Sequence, residues 1–371
     1  MTDETSINHF LSQYQETVSI YGRQKKIGFS LLSLRPHFSC PCEKNQYHNE
    51  HASASQLRST TKDSLIPVIS KETIIMEFGK VDPAQLDFID FKLPPDPKET
   101  KEVLATGKGN TKFYIGCAKW GRKDWVGKLY PPKTKEKDFL HYYSTVFNSI
   151  EFNGTFYNAK AENIRKWYEQ TVDNFIFCPK FTQTITHLKR LKNTDREVDD
   201  FLQAISEFKE KLGPVFLMPH PQFAVKNLDT LEDFVQKLPK DLDLFLELRN
   251  DSWYENGYHK ELYAFLKKHK KGTVITDAAG ARNFVHMHLS TPQCFIRFVG
   301  NSLHKTDYQR IDDWVERIGA WMKAGLEKCY FFMHQHEELH SPELIRYFIE
   351  QLNKHCGTDI KSPRNARADA F

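Results

Sequence analysis

The sequence predicts an α/β fold, a single (β/α)8 barrel of the TIM type with an irregular N-terminal extension. Between Phe113 and Cys356 one unit recurs eight times: a short apolar run, a polar turn, an amphipathic stretch. Strands alternating with helices argue for a parallel sheet, and the repeats occupy close to the roughly 250 residues of such barrels. The first apolar run ends in IGCAKWGRKDW. It lacks the G-x-G-x-x-G that a doubly wound sheet usually carries after its first strand.

The first strand is FYIGCAKW (113–120), followed by a helix through Phe139, Tyr142, Tyr143 and Val146. The second is SIEFNGTF (149–156), with Ile164, Trp167 and Tyr168 on its helix. After FIFCPKFT (175–182), the positions Val198, Phe201, Leu202, Ile205, Phe208 and Leu212 keep close to a 3.6-residue period. Gly213 and Pro214 stop that helix. PVFLMPH (214–220) precedes Leu228, Leu231, Phe234, Val235 and Leu238, and LFLELRN (244–250) precedes Tyr258, Leu262, Phe265 and Leu266. TVITDA (273–278) is followed by a short connection that is less clearly helical. After CFIRFVG (294–300), Thr306 and Gln309 form a capping box ahead of Ile311, Trp314, Val315, Ile318 and Trp321. KCYFFMHQ (328–335) is the eighth strand, and Ser341 with Pro342 starts the last helix.

The flanks read differently. Residues 1–75 keep no period, and Ser, Thr, His, Gln and Asn crowd 43–64, which predicts little fixed structure. Met76 opens MEFGKV in the manner of a natural start. Residues 76–112 read as an irregular lead-in and 357–371 as a tail. Across the 371 residues, 40% hydrophobic and 27% charged content is ordinary for a soluble globular protein. A net charge of +4 does not by itself point to nucleic acid. No run approaches the roughly 18 apolar residues of a membrane span, and the acidic, polar start is not a secretory signal. The seven cysteines are odd in number, and Cys117, Cys178, Cys294 and Cys329 lie in or beside apolar strands. A reducing, cytoplasmic setting follows.

Chemistry is predicted at the C-terminal strand ends, where such barrels hold their active sites. In LFLELRN, Glu247 and Arg249 alternate with Leu244, Leu246 and Leu248, so the charged pair shares one face and the leucines the other. By the same rule Glu151 shares a face with Asn153, Lys180 with Cys178, Asp277 with Ile275, Arg297 with Phe295 and His334 with Phe332. Taken together, these residues would surround the axis at the mouth. Unpaired buried charge is costly, so such groups must pair, meet water or meet a ligand. Glu247 with Arg249 could form an interior ion pair, but the set favours a ligand site. Arg249, Arg297 and Lys180 suit an anion. Glu247 or Asp277 is the expected acid or base, with Glu151 as partner. Trp120, Tyr157 and Trp253 follow strand ends and could stack on a sugar or base, although each taken singly reads more readily as a lid or core aromatic.

Metal signals are weak. His286 with His288, and His334 with His336, Glu337 and Glu338, are types that bind divalent cations, yet H-x-H spacing alone assigns no ligand set. Cys40, Cys42, His48 and His51 are only loosely zinc-like. No cofactor is firmly implied. Cys117 reads as core, and no P-loop, H-E-x-x-H, G-x-S-x-G or kinase signature occurs.

IGCAKWGRKDWVGKLYPP, FLHYYSTVFNSIEFNGTFY, PKFTQTITH, ELRNDSWY, ITDAAG and FIRFVGN, in that order, resemble domain-of-unknown-function family seventy-two, the YecE-like proteins, over residues 76–356. The resemblance implies a TIM-type barrel and names no activity. It maps the family pattern onto Trp120, Tyr130, Glu151, Asn153, Phe156, Tyr157, Lys180, His187, Glu247, Arg249, Trp253, Asp277 and Arg297. Two departures lie at the mouth: HQHEE where members are asparagine-rich, and LMPH where a glutamine–leucine–proline pattern is common.

The leading expectation is an enzyme using acid–base chemistry on a small anionic substrate, phosphorylated or sugar-like. Lys and Arg within 119–137 and 180–196, interleaved with aromatics, support a second expectation, nucleic-acid binding or processing. A non-catalytic sensor or scaffold is a third. No membrane partner is expected, and the sequence does not specify the oligomeric state.

Overall fold

The structure is a computed structural model that describes residues 79–363. The expectations for residues 1–75, including Cys40, Cys42, His48, His51 and the start at Met76, lie outside the described residues, as does the tail beyond 363. Eight strands follow in chain order among the described residues: β1 (Lys112–Cys117), β2 (Ser149–Phe152), β3 (Ile176–Pro179), β4 (Val215–Leu217), β5 (Leu244–Leu246), β6 (Gly272–Asp277), β7 (Gln293–Gly300) and β8 (Lys328–Gln335). The helices are α1 (Lys98–Leu104), α2 (Phe139–Val146), α3 (Ala161–Gln170), α4 (Asp195–Ile205), α5 (Leu228–Lys237), α6 (Lys260–Lys268), α7 (Lys305–Ala324) and α8 (Ser341–Cys356), with one helical turn at Gly154–Tyr157.

All pairings between these strands are parallel, but their ladder is not one continuous ring of eight. Six strands pair in the order β1-β8-β7-β6-β5-β4, and β2 pairs with β3. Beyond the end of β3, Lys180 bridges to Phe216 of β4, and the Phe181 amide donates to the Phe216 carbonyl at 3.1 Å. Between β1 and β2 the connections are side chains. Asn148 accepts from the Ile115 amide (2.8 Å) and donates to the Phe113 carbonyl (2.7 Å), replacing a strand neighbour. The Tyr143 hydroxyl accepts from the Cys117 amide (2.7 Å) and lies 3.2 Å from the Ser149 carbonyl. A Cβ on Gly116 would fall 1.9 Å from that carbonyl oxygen, so only glycine permits this approach.

The strand period sorts the core into two layers. Cys178, Phe216, Phe245, Val274, Phe295, Tyr330 and Phe332 form one buried cluster, with Tyr114 and Ile176 packed against it. This is the concave face of a curled sheet. The alternate residues meet the helices: Phe331 stacks on Phe348 of α8 at 3.9 Å, and Phe152 meets Trp167 of α3 edge-on at 4.8 Å.

Several strands stop earlier than the sequence suggests. SIEFNGTF leaves the sheet after Phe152 and turns helical at Gly154, and LFLELRN is paired only through Leu246. The residues that follow carry the polar groups of the mouth. The lead-in is more regular than expected because α1 docks on the connection between β6 and β7. Thr100 donates to the Met287 carbonyl (2.9 Å) and accepts from the Leu289 amide (3.0 Å). That connection has a single 3-10 turn, Arg282–Phe284, in agreement with its weak helical signal.

Tyr143→Phe should show whether the side-chain seam stabilises the fold. The variant keeps the ring but leaves the buried Cys117 amide unpaired, so denaturant unfolding should report a loss of about 1–3 kcal/mol. Unchanged stability would mean the seam contributes nothing.

Candidate functional site

Arg297 continues the concave face of β7 one step beyond Phe295. It is 6% exposed and engages both glutamates expected at the mouth. Its Nε and Nη2 donate to Glu151 at 2.7 and 2.9 Å, and its Nη1 donates to both oxygens of Glu247 at 2.7 and 2.9 Å. Glu151 comes from β2, and Glu247 directly follows β5. Asn153 and His334 also meet Glu151, at 2.9 and 2.8 Å. Arg249 and Thr276 donate to Glu247 at 2.9 and 3.0 Å. Six of the expected residues, Glu151, Asn153, Glu247, Arg249, Arg297 and His334, are therefore one bonded network.

The network settles protonation. Burial would push the Glu247 carboxyl up, but Arg249, Arg297 and Lys180 outweigh it and hold Glu247 down at about 2. Glu151 is likewise held well below the usual carboxylate range by Arg297 and His334, against the effect of burial. Both are carboxylates at neutral pH. Arg297, whose own value is raised by its two glutamates against burial, remains a cation.

Lys180 follows β3 on the same face. The Thr155 hydroxyl fixes its backbone, donating to its carbonyl at 2.7 Å and lying 3.1 Å from its amide. The residue is 6% exposed, and Nζ lies over the rings of Phe156 (4.5 Å) and Phe216 (5.6 Å). It makes no ion pair among the described residues. Two other buried lysines differ. Lys211 Nζ donates to the Tyr168 and Thr171 carbonyls and lies 3.1 Å from the Thr171 hydroxyl, and Lys271 Nζ donates to the Pro239, Lys240 and Leu242 carbonyls. Burial, followed by Arg297 and Arg249, brings Lys180 down to about 7 despite the two glutamates.

His187 and His220 extend the site. His187 sits in a π-helical turn, Thr184–Leu188, edge-on to Phe156 at 5.1 Å and to His220 at 5.4 Å. Burial, Lys180, His220 and Arg249 lower His187 to about 4, so it is neutral at pH 7. Tyr157 packs against Phe156 and is 58% exposed at this edge. His220 comes from the LMPH departure and escaped the sequence reading. Thr276 was also missed, although its phase with Val274 could have revealed it.

Three expected residues belong elsewhere. Asp277 is in phase with Ile275, as read, but that phase faces the helices. The register pairs Thr276, not Asp277, with Arg297. Asp277 is fully buried against Arg310 (2.8 Å) and Trp314 (2.7 Å) of α7 and against Arg282. Trp253 is 1% exposed and donates its indole N–H to the Phe223 carbonyl at 2.7 Å, so it is core. Trp120 stacks on Phe152 at 5.6 Å and meets Trp167, in the outer layer. Among the described residues no group of three or more His, Cys, Asp and Glu is placed to hold a metal ion. His286 instead meets the Val274 carbonyl at 3.0 Å, and its Nδ1 accepts from the His288 amide. Burial pushes the Cys117 thiol well up, which suits core packing.

The chain is thus a parallel α/β protein whose ionic network lies at the C-terminal strand ends. A DUF72 family protein from Enterococcus faecalis V583 shares the fold with a TM-score of 0.54 and 17% identity, over 70% of this chain and 100% of that one. A second, from Thermotoga maritima MSB8, matches with a TM-score of 0.50 and 21% identity, over 66% and 99%. The UPF0759 protein YecE of Escherichia coli K12 is 28% identical over 262 residues, 65% of this chain and 93% of that protein. The UPF0759 protein YunF of Bacillus subtilis 168 is 25% identical over 66% and 85%. Residues 114–367 match the family described as "Protein of unknown function DUF72", and the chain belongs to that family.

Removing the central guidanium charge should be far worse than removing all three charges. Arg297→Met leaves two buried carboxylates facing each other and should cost about 3–5 kcal/mol in denaturant unfolding. Adding Glu151→Gln and Glu247→Gln should recover most of that loss. Because Glu247 sits at about 2 when folded against an ordinary 4.5, its stabilisation is present above 4.5 and is lost as pH falls toward 2. The triple variant should lose less stability over that window. An Arg297→Met protein as stable as the parent would contradict the network.

Proposed function

We propose that this protein is an enzyme that transfers a proton on a small anionic substrate at the C-terminal ends of its strands, with the Lys180 amine as the titrating group. The observation that carries this reading is a buried lysine whose amine makes no structural hydrogen bond among the described residues and is brought to about 7. A group with its pKa near the working pH is suited to general acid–base work. Glu151 and Glu247 take a different role from the one expected of them. A carboxylate held at about 2 is a poor acid and a weak base at neutral pH. Their role is electrostatic, and Arg297 is spent on them rather than on substrate.

Charge balance supports an anionic substrate. With Lys180 protonated, Lys180, Arg249 and Arg297 outnumber the two carboxylates, and an anion would offset the excess. On this reading the strands close as a (β/α)8 barrel, with Asn148 and Tyr143 joining β1 to β2. The mouth of that barrel is where such folds place their chemistry. Among the described residues five cysteines are free thiols, four of them buried, which fits the reducing cytoplasm.

A thermal-shift screen of the full chain against small phosphorylated and carboxylated metabolites tests this. A ligand at a hundred times its Kd should stabilise by about 2.7 kcal/mol, or some 2–4 °C. The shift should be larger at pH 6 than at pH 8, and that pH dependence should vanish in Lys180→Met. The variant itself should be more stable than the parent at pH 6. The unfolded amine titrates near 10.5 and the folded one near 7, so the burial penalty is absent above 10.5 and complete below 7. Removing it should gain on the order of a few kcal/mol, since each pKa unit is worth about 1.4 kcal/mol. A destabilised Lys180→Met, or a pH dependence of the ligand shift that survives it, would contradict the assignment.

A further inference from the structure

A cavity adjoins this site. It holds about 540 Å³ and is lined by Leu188, Lys189, Arg190, Lys192, Gln222, Phe223, Lys226 and Asn227. Four of these residues are cations and none is acidic. Lys189 is shared with Glu197 at 2.6 Å, and Arg190 donates to Gln222 at 3.1 Å. Lys192 and Lys226 are exposed and make no ion pair among the described residues.

The backbone here is unusual in a way that places the charges. The π-helical turn Thr184–Leu188 runs directly into Arg190, Leu191 and Asn193, all with left-handed φ (49°, 66° and 53°). Such segments persist only where the surroundings hold them, and they concentrate at functional sites. Leu191 supplies the hold: it is 5% exposed, and its amide donates to the Ile185 carbonyl at 2.9 Å. The result is a basic loop pinned at its centre.

The cavity and the mouth share a wall. His187 meets Phe156, which lies under Lys180, and the next residues, Leu188 and Lys189, line the cavity. His220 faces His187, and its Nδ1 accepts from the amide of Gln222, another cavity residue. The field of Lys180 and Arg249 reaches His187, and that of Arg190 reaches His220. The histidine pair therefore stands between two positive compartments.

We propose that this basic cavity binds the phosphate groups of a small polyphosphorylated substrate whose reacting end lies at Lys180. The proposal rests on the reading of Lys180 given above and adds the substrate's class and orientation. The bounded volume is that of a small-ligand site. A nucleic acid would need a continuous basic track, and Glu197 and Asp195, the latter 3.7 Å from Lys237, interrupt one here.

The test is calorimetric titration of the full chain with sodium tripolyphosphate, and separately with a short thymidine oligonucleotide. Comparisons are the parent, Lys192→Glu/Lys226→Glu and Lys180→Met, each checked for folding by circular dichroism. Tripolyphosphate should bind the parent saturably, roughly tenfold or more weakly in the charge-reversed variant, and with unchanged affinity in Lys180→Met. Equal affinity in the charge-reversed variant, or no saturable binding to the parent, overturns the cavity assignment. Metabolite shifts that depend on Lys180 would still stand in that case, so the two failures are distinguishable. An oligonucleotide that binds more tightly than tripolyphosphate, and loses that advantage on charge reversal, overturns the small-ligand class.

Discussion

Arg297 places one guanidinium between two buried carboxylates that belong to different sheets. Glu151 comes from the β2–β3 pair, and Glu247 follows a strand of the six-stranded sheet to which Arg297 itself belongs. The three charges are isolated from water, so each is tolerable only with the others present. The bonds also fix where β2 stands relative to β5 and β7. Along the β1–β2 boundary, where backbone ladders are replaced by Asn148 and Tyr143, polar side chains perform the comparable task.

The same network sets the state of its neighbours. Beside two carboxylates held ionised and two arginines that cannot readily deprotonate, Lys180 is brought to where its charge changes near neutrality. The contrast with Lys211 and Lys271 explains why this buried lysine is unusual. Those amines recover lost hydration from backbone carbonyls, whereas Lys180 faces two aromatic rings and two guanidinium charges. A protein that keeps a costly group in place of a well-satisfied one usually uses it, and such sites are where stability is traded for activity.

The sequence was most informative where a period-two pattern met an unambiguous apolar run. Phe295 to Arg297, Phe332 to His334 and Cys178 to Lys180 predicted the shared face correctly, because alternation leaves a strand no other choice. Asp277 shows the limit. TVITDA is apolar on both faces, and only its register against β7 determines that Thr276 points to the site while Asp277 meets Arg310. Trp253 and Trp120 misled for another reason. An aromatic after a strand end has the same local sequence whether it lines a mouth or fills the outer layer. His187 and His220 meet across two loops, a contact that no local pattern encodes. LMPH stood out in the sequence as a departure at the mouth, and it is what supplies His220.

Titration of the Lys180 amine by heteronuclear NMR is the most direct test, using lysine-labelled protein with the resonance assigned by its loss in Lys180→Arg. A midpoint near 7 is the result the network predicts. A midpoint close to the ordinary lysine value of about 10.4 would show that the guanidinium charges and burial do not act on this amine, and would contradict its role as the titrating group.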